Sequence, residues 1–114
     1  MVSFAGAERH AGEAAANFAS QNFRNTLGAL PLLLGLDAAA PMAVAEAARA
    51  DVAIVAHSET GRTAVKVSYG APPVDTELSL EALTAMFLGK LMSFASAEYG
   101  SAVKDCVVSV PGFW

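Results

Sequence analysis

The sequence predicts an α/β chain of the α+β kind, with short N-terminal helices, a β-hairpin, a long helix and a terminal buried strand. Three observations carry that expectation. Apolar residues and helix formers recur at helical spacing in the first third of the chain. The period then changes to strand alternation in "RTAVKVSY", where Val65, Val67 and Tyr69 share one face and Lys66 and Ser68 the other. It returns to helical spacing with Leu83, Phe87, Leu91 and Phe94.

Taken in order, Glu8 to Phe23 predicts a short amphipathic helix on Ala11, Ala14, Ala15 and Phe18. Asn25 and Thr26 have side-chain oxygens suited to capping a second helix. Gly28, Pro31 and Gly35 argue against a long regular one, since proline removes a backbone donor and clashes with the preceding turn. Pro41 restarts a helix at the favoured first position. "DVAIVAH" and "RTAVKVSY", joined by the turn residues of "SETG", form the hairpin, and "GAPPVDTE" reads as a loop. Ser79 caps the long helix, Glu81 suits the dipole of its first turn, and Gly100 stops it. "KDCVVSVP" is the buried strand, terminated by Pro111.

Composition narrows the function classes. At 114 residues the chain is one domain at most, and it can bury a core without metal or disulfides. Seven Lys or Arg against eleven Asp or Glu give a net charge of -4, so neither nucleic acid nor an anionic membrane is an expected partner. The apolar run from Leu27 ends at Asp37, about half the roughly 20 residues that a membrane span requires. The N-terminus has no basic start leading into an apolar stretch, unlike a secretory signal. Cys106, the single cysteine, reads as a small buried hydrophobe and fits a reducing compartment.

Self-contained chemistry is hard to find. His57, Ser58 and Glu59 are the residue types of a hydrolytic triad, but consecutive side chains on extended backbone point apart, so they read as a turn. "SETGRT" lacks the spacing of a phosphate loop and the helix that would follow it. His10 and His57 have no acidic or cysteine partner at metal spacing, and His10 reads as a helix-surface residue.

Three ordered stretches carry a resemblance. "ERHAGEAAANFASQNFRNTLGALPLLLG" is similar to a segment of the seventy-kilodalton heat-shock chaperones that runs ER-x-x-G-[DE]-A-A-x-N-Q and then N-T-x-x-x-x-K-R-x-x-G. "AVKVSYG" and "LSLEALTAMFLGKLMSFASAEYGSAVKDCVVSVPGFW" resemble its continuation through a strand, a long helix and a V-[IV]-[TS]-V-P-x-[FY]-[FYW] segment. "LTAMFLGKL" and "DCVVSVPGFW" look closest to the 110-kilodalton branch, whose members act as nucleotide-exchange factors and aggregation-preventing partners.

The resemblance implies a partial nucleotide-binding (ATPase) domain over residues 1–114, a fragment of lobe I of an actin-like ATPase, mostly its IB subdomain. ATP or ADP with Mg²⁺ would be the cofactor of the parent protein, with none expected for this chain alone. A partner heat shock protein 70 chaperone and unfolded client proteins would be its partners. The location would be cytoplasmic, or the endoplasmic reticulum lumen if an upstream signal is missing. The family's phosphate loops would precede and follow this stretch. If Asn25 and Thr26 match the family's N-T pair and Gly35 its closing glycine, the catalytic lysine falls on Pro31 and the following arginine on Leu32. Proline offers neither charge nor donor, so the chain itself is expected not to hydrolyse ATP. Pro111 corresponds to a proline that relays nucleotide state, although ending a strand explains it as well.

Two other expectations stand beside this one: a non-enzymatic interaction module derived from a chaperone lobe, and an unrelated small α+β domain. A structure without a strand from Cys106 to Val110 packed against the long helix would favour the latter. Cut from its lobe, the chain is expected to expose apolar faces and to aggregate or become molten.

Overall fold

The computed structural model describes residues 1–28 and 30–114. It has two three-stranded antiparallel sheets, connected and covered by short helices, with one long helix at the end. The α+β class expected from the change of period is what the chain forms.

The first sheet has the order β2-β1-β3, from β1 (Val2–Ala5), β2 (Glu8–Ala11) and β3 (Thr26–Leu27). Its presence corrects the expected helix over Glu8–Phe23. Gly6 turns the chain at a φ of 60°, so Phe4 pairs with Arg9 and Val2 with Ala11. Val2 and Phe4 are almost fully buried, whereas alanines at helical spacing have little area to bury. The helix α1 is therefore confined to Glu13–Phe18, beyond Gly12 at a φ of 65°, and Ala15 is its one buried residue.

A 3-10 turn over Phe23–Asn25 leads into β3, so Asn25 and Thr26 do not cap a helix as expected. The helix α2 spans only Leu30–Leu33, as the glycines and Pro31 require, and Pro31 lies in its first turn, where no donor is needed. Helix α3, Pro41–Arg49, opens on its proline as expected and buries Ala43.

The second sheet has the order β4-β5-β6, from β4 (Ala53–Ala56), β5 (Thr63–Tyr69) and β6 (Val74–Ser79). The expected hairpin is β4–β5, closed by His57 N–H on the Arg62 carbonyl at 2.7 Å. β6 corrects the loop expected over "GAPPVDTE". Pro72 and Pro73 stay in the connection, and the residues after them keep the N–H groups that pair with β5 from Val74 to Ser79. This makes β5 the central strand, with Ala64, Val65 and Val67 buried.

Helix α4, Leu80–Tyr99, begins and ends as the sequence predicts. Ser79 Oγ accepts from Ala82 N–H at 3.1 Å, and Gly100 closes the helix in the left-handed region at a φ of 81°. Its apolar stripe is buried only at the start. Leu80 and Leu83 are sealed and Phe87 is half-buried, but Leu91 and Phe94 are 45% and 52% exposed. By length and composition alone, α4 is long and apolar enough to cross a membrane.

The expected terminal strand is not formed. Residues 101–110 have no ladder partner among the described residues, Val107 is 98% exposed, and Cys106 lies on the surface rather than in a core. An extended run is a strand only when a neighbouring edge takes its N–H and C=O groups. The core instead joins Val2 and Phe4 of the first sheet to Val65 and Val67 of the second, with Leu30 and Leu33 of α2 and Leu80 and Leu83 of α4 between them. Phe4 meets Tyr69 edge-on at 4.9 Å, and Gly70 N–H donates to the Gly6 carbonyl at 2.8 Å, which ties the two sheets.

Candidate functional site

The stretch from Asn25 to Leu36 is held at both ends by buried or half-buried polar bonds. At its start, Asn22 Nδ2 donates to the Phe4 carbonyl at 2.6 Å and to Ser3 Oγ at 3.1 Å. Asn22 Oδ1 accepts from Asn25 Nδ2 at 3.0 Å, and its carbonyl accepts from Thr26 Oγ1 at 2.8 Å. The Thr26 and Ser3 hydroxyls are 2.8 Å apart. Thr26 has one proton, given to Asn22, so the Ser3 hydroxyl is free to donate to Thr26 while accepting from Asn22. Asn25 Oδ1 then accepts Ser68 N–H at 2.9 Å, linking this turn to the second sheet. At the far end, Thr63 N–H and Oγ1 both donate to the Leu36 carbonyl, at 3.0 and 2.8 Å.

Between those anchors lie the candidate residues. Leu30 and Leu33 of α2 enter the core, which turns Pro31 outward to an exposed position and leaves Leu32 half-buried. The Pro31 carbonyl accepts the indole N–H of Trp114 at 3.0 Å, a contact across 83 residues that no local sequence signal announces. Pro31 and Pro111 consequently line the same cavity, of about 540 Å³, with Leu34, Phe87, Val110 and Trp114. Leu32 lines a neighbouring cavity with Met42, Phe113 and Trp114. The fold thus brings Pro31 and Pro111 to one cavity and leaves Leu32 on the neighbouring one.

What surrounds them is apolar. Among the described residues no cationic or acidic side chain lines either cavity; the larger one has two hydroxyls, those of Thr84 and Ser109, and Thr84 Oγ1 already donates to the Leu80 carbonyl at 2.7 Å. A nucleotide polyphosphate with Mg²⁺ needs positive donors and carboxylate or hydroxyl oxygens. The residues around Pro31 do not fit that group. An apolar side chain fits them.

The histidine clusters have local structural roles. His57 Nδ1 accepts from Glu59 N–H at 3.2 Å, and Glu77 Oε1 accepts from Ser58 N–H at 2.7 Å, so this is the turn that the spacing implied. The Ser58 amide, opposed by a smaller desolvation cost, holds the Glu77 carboxyl below its ordinary value of 4.5, and His57 and Lys66 act in the same direction. His10 is on β2, not on a helix surface as expected. Its ring stacks on Phe18 at 4.6 Å, and its Nε2 lies 3.5 Å from Glu8 Oε2.

The two small sheets, the anchored stretch from Asn25 to Leu36 and the long capped helix make up an α+β segment, and its family is the one the motifs resemble. The chain belongs to the Hsp70 family: it matches the family described as Hsp70 protein over residues 1–114. It is 34% identical to "Heat shock 70 kDa protein 4" of Rattus norvegicus over 113 residues, 99% of this chain and 13% of that protein. It is 31% identical to "Heat shock protein 88" of Dictyostelium discoideum, over 100% of this chain and 14% of the relative. With a heat shock protein homolog of Candida glabrata it shares 28% identity, over 100% of this chain and 16% of the relative. The chain therefore spans about one seventh of the length of the first two curated relatives. The likeness to the 110-kilodalton branch rests on such relatives. Taken alone, the unformed strand at Cys106–Val110 would favour an unrelated domain, but a family match over the whole chain overturns that alternative.

Proposed function

We propose that this chain is part of lobe I, mostly the IB subdomain, of an ATP-binding chaperone of the 110-kilodalton type, and that its own residues supply structure rather than hydrolysis. The carrying observation is Pro31. It occupies the position that corresponds to the family's catalytic lysine, inside a frame whose ends are fixed by Asn25, Thr26 and Thr63. Leu32, in place of the following arginine, removes the second cation. In the parent protein the ATP or ADP and Mg²⁺ would be held by residues outside this stretch. The parent would hold unfolded clients and promote nucleotide exchange on a partner heat shock protein 70 chaperone, in the cytoplasm. Pro111, which lines the same cavity as Pro31, would relay nucleotide state toward the interdomain surface of the parent.

The purified chain is expected to show no nucleotide-saturable phosphate release from ATP, and saturable release would falsify the loss of catalysis. A second reading is a non-enzymatic module that binds a partner chaperone, and the exposed Leu88, Leu91, Met92 and Phe94 on α4 favour it. Pull-down with a heat shock protein 70 chaperone at micromolar concentration separates the two. Capture by the isolated chain supports the module, and no capture counts against it.

A further inference from the structure

Each of two elements carries an exposed cation in line with residues that it buries in the core. In the β1–β2 hairpin, Val2 is opposite Ala11 and Phe4 opposite Arg9, so Arg9 shares the side of the sheet occupied by buried Val2 and Phe4. Glu8 and His10 alternate to the other side. On α4, Lys90 follows Leu83 and Phe87 at the i, i+4, i+7 spacing of the stripe that those two residues bury. An apolar residue is the pattern's choice at both positions. Instead Arg9 and Lys90, together with Tyr69, line one cavity of about 230 Å³ walled by Val2 and Phe87.

No acid among the described residues lines that cavity. Arg49 and Arg62 lie against Glu46 and Glu81, whereas Arg9 and Lys90, like Arg24, Lys66 and Lys104, make no ion pair among the described residues. Lys90 Nζ rests 4.9 Å over the ring of Phe94, a contact that an ammonium exchanges readily for an anion. The volume lies below the roughly 300–1,000 Å³ of sites for drug-sized ligands, so the cavity suits a single charged group rather than a nucleotide.

We propose that Arg9, Lys90 and Tyr69 form a binding site for one phosphate dianion. The guanidinium gives paired N–H donors, the ammonium a mobile point charge, and the phenol a third donor. The site is separate from the apolar cavity at Pro31 and does not depend on the chaperone reading.

The full 114-residue chain tests this with inorganic phosphate at constant ionic strength, chloride being the balancing ion. Phosphate is expected to slow hydrogen exchange in segments 2–11 and 86–94 and to raise the thermal midpoint, both saturably, because a ligand that binds only the folded state stabilises it. Arg9→Gln and Lys90→Gln should each weaken the effect by about tenfold or more, with an unchanged circular dichroism spectrum showing that the variants fold. Acetate should act only at about tenfold higher concentration, since it has one charge and fewer acceptors. The absence of a saturable effect, an effect that persists in the double variant, or acetate acting as strongly as phosphate would each overturn the assignment.

Discussion

The body of the chain up to Leu83 and the stretch that follows it, the outer half of α4 with residues 101–114, are both rich in apolar side chains but have opposite fates. In the body, Val2, Phe4, Val65, Val67, Leu80 and Leu83 are each 3% exposed or less. Beyond it, Leu91, Met92, Phe94, Val107, Val108 and Val110 all exceed 40%. Hydrophobic patterning makes a face ready to bury, and burial needs a second face. The two sheets, tied through Phe4 with Tyr69 and Gly6 with Gly70, provide that second face for one another and for the start of α4.

Substitutions that treat the two regions alike should therefore act very differently. Leu83→Ala leaves a cavity in the shared core and is expected to cost about 2–5 kcal/mol in urea unfolding, while Leu91→Ala should stay within about 0.5 kcal/mol. The double change Leu91→Glu with Val107→Glu should leave stability similarly unmoved but lower light scattering at micromolar concentration, because it breaks up an exposed apolar surface. If Leu91→Ala cost as much as Leu83→Ala, the distinction between the regions would collapse. Asn22→Ala comes next. It orphans the Phe4 carbonyl and the Asn25 amide where the first sheet meets the 3-10 turn, and it should cost about 1–3 kcal/mol by the same measurement. Ser79→Ala, which removes the cap at the junction of body and helix, is expected to cost about 0.5–2 kcal/mol and to reduce helicity by circular dichroism.

The smallest effect concerns pH. The folded chain holds the Glu77 carboxyl below its ordinary value, chiefly through the Ser58 amide, so folding favours the ionised form. Its stabilising contribution is present above the unfolded value and is lost as pH falls through the depressed folded value. Glu77→Gln should lower stability slightly in the neutral region, leave it nearly unchanged below the depressed folded value, and so flatten that acid limb. A variant whose acid limb matches the original would remove Glu77 from the account.

Legibility followed the range of the interactions. Pro41 at the head of α3, the Ser79 cap, the Gly100 stop and the alternation of β5 are set within a few residues, and all were readable. The helix expected over Glu8–Phe23 failed because its alanine signal is weak and Gly6 lets buried Phe4 pair with Arg9. The loop expected before Ser79 failed because β6 exists only as a partner for β5. At the candidate site, the polar pair Asn25–Thr26, Pro31 and the closing Gly35 could be read in the sequence. The roles of Asn22 and Ser3 in anchoring that stretch could not, since a short polar side chain gives no clue to a partner some 18 or 19 residues away.

By itself, the sequence determined the α+β class, the ends of α4 and the family likeness. These depend on local dihedral preferences and on residue identity, which each short stretch carries with it. Tertiary structure alone decided that Asn25 would bond to the second sheet and Thr26 to the first instead of capping a helix, that Pro31 and Pro111 would line one cavity, and that "CVVSV" would have no ladder partner among the described residues. A ladder, a buried hydrogen bond and a packed face each need a second partner from elsewhere in the chain, and only folding decides which partner arrives.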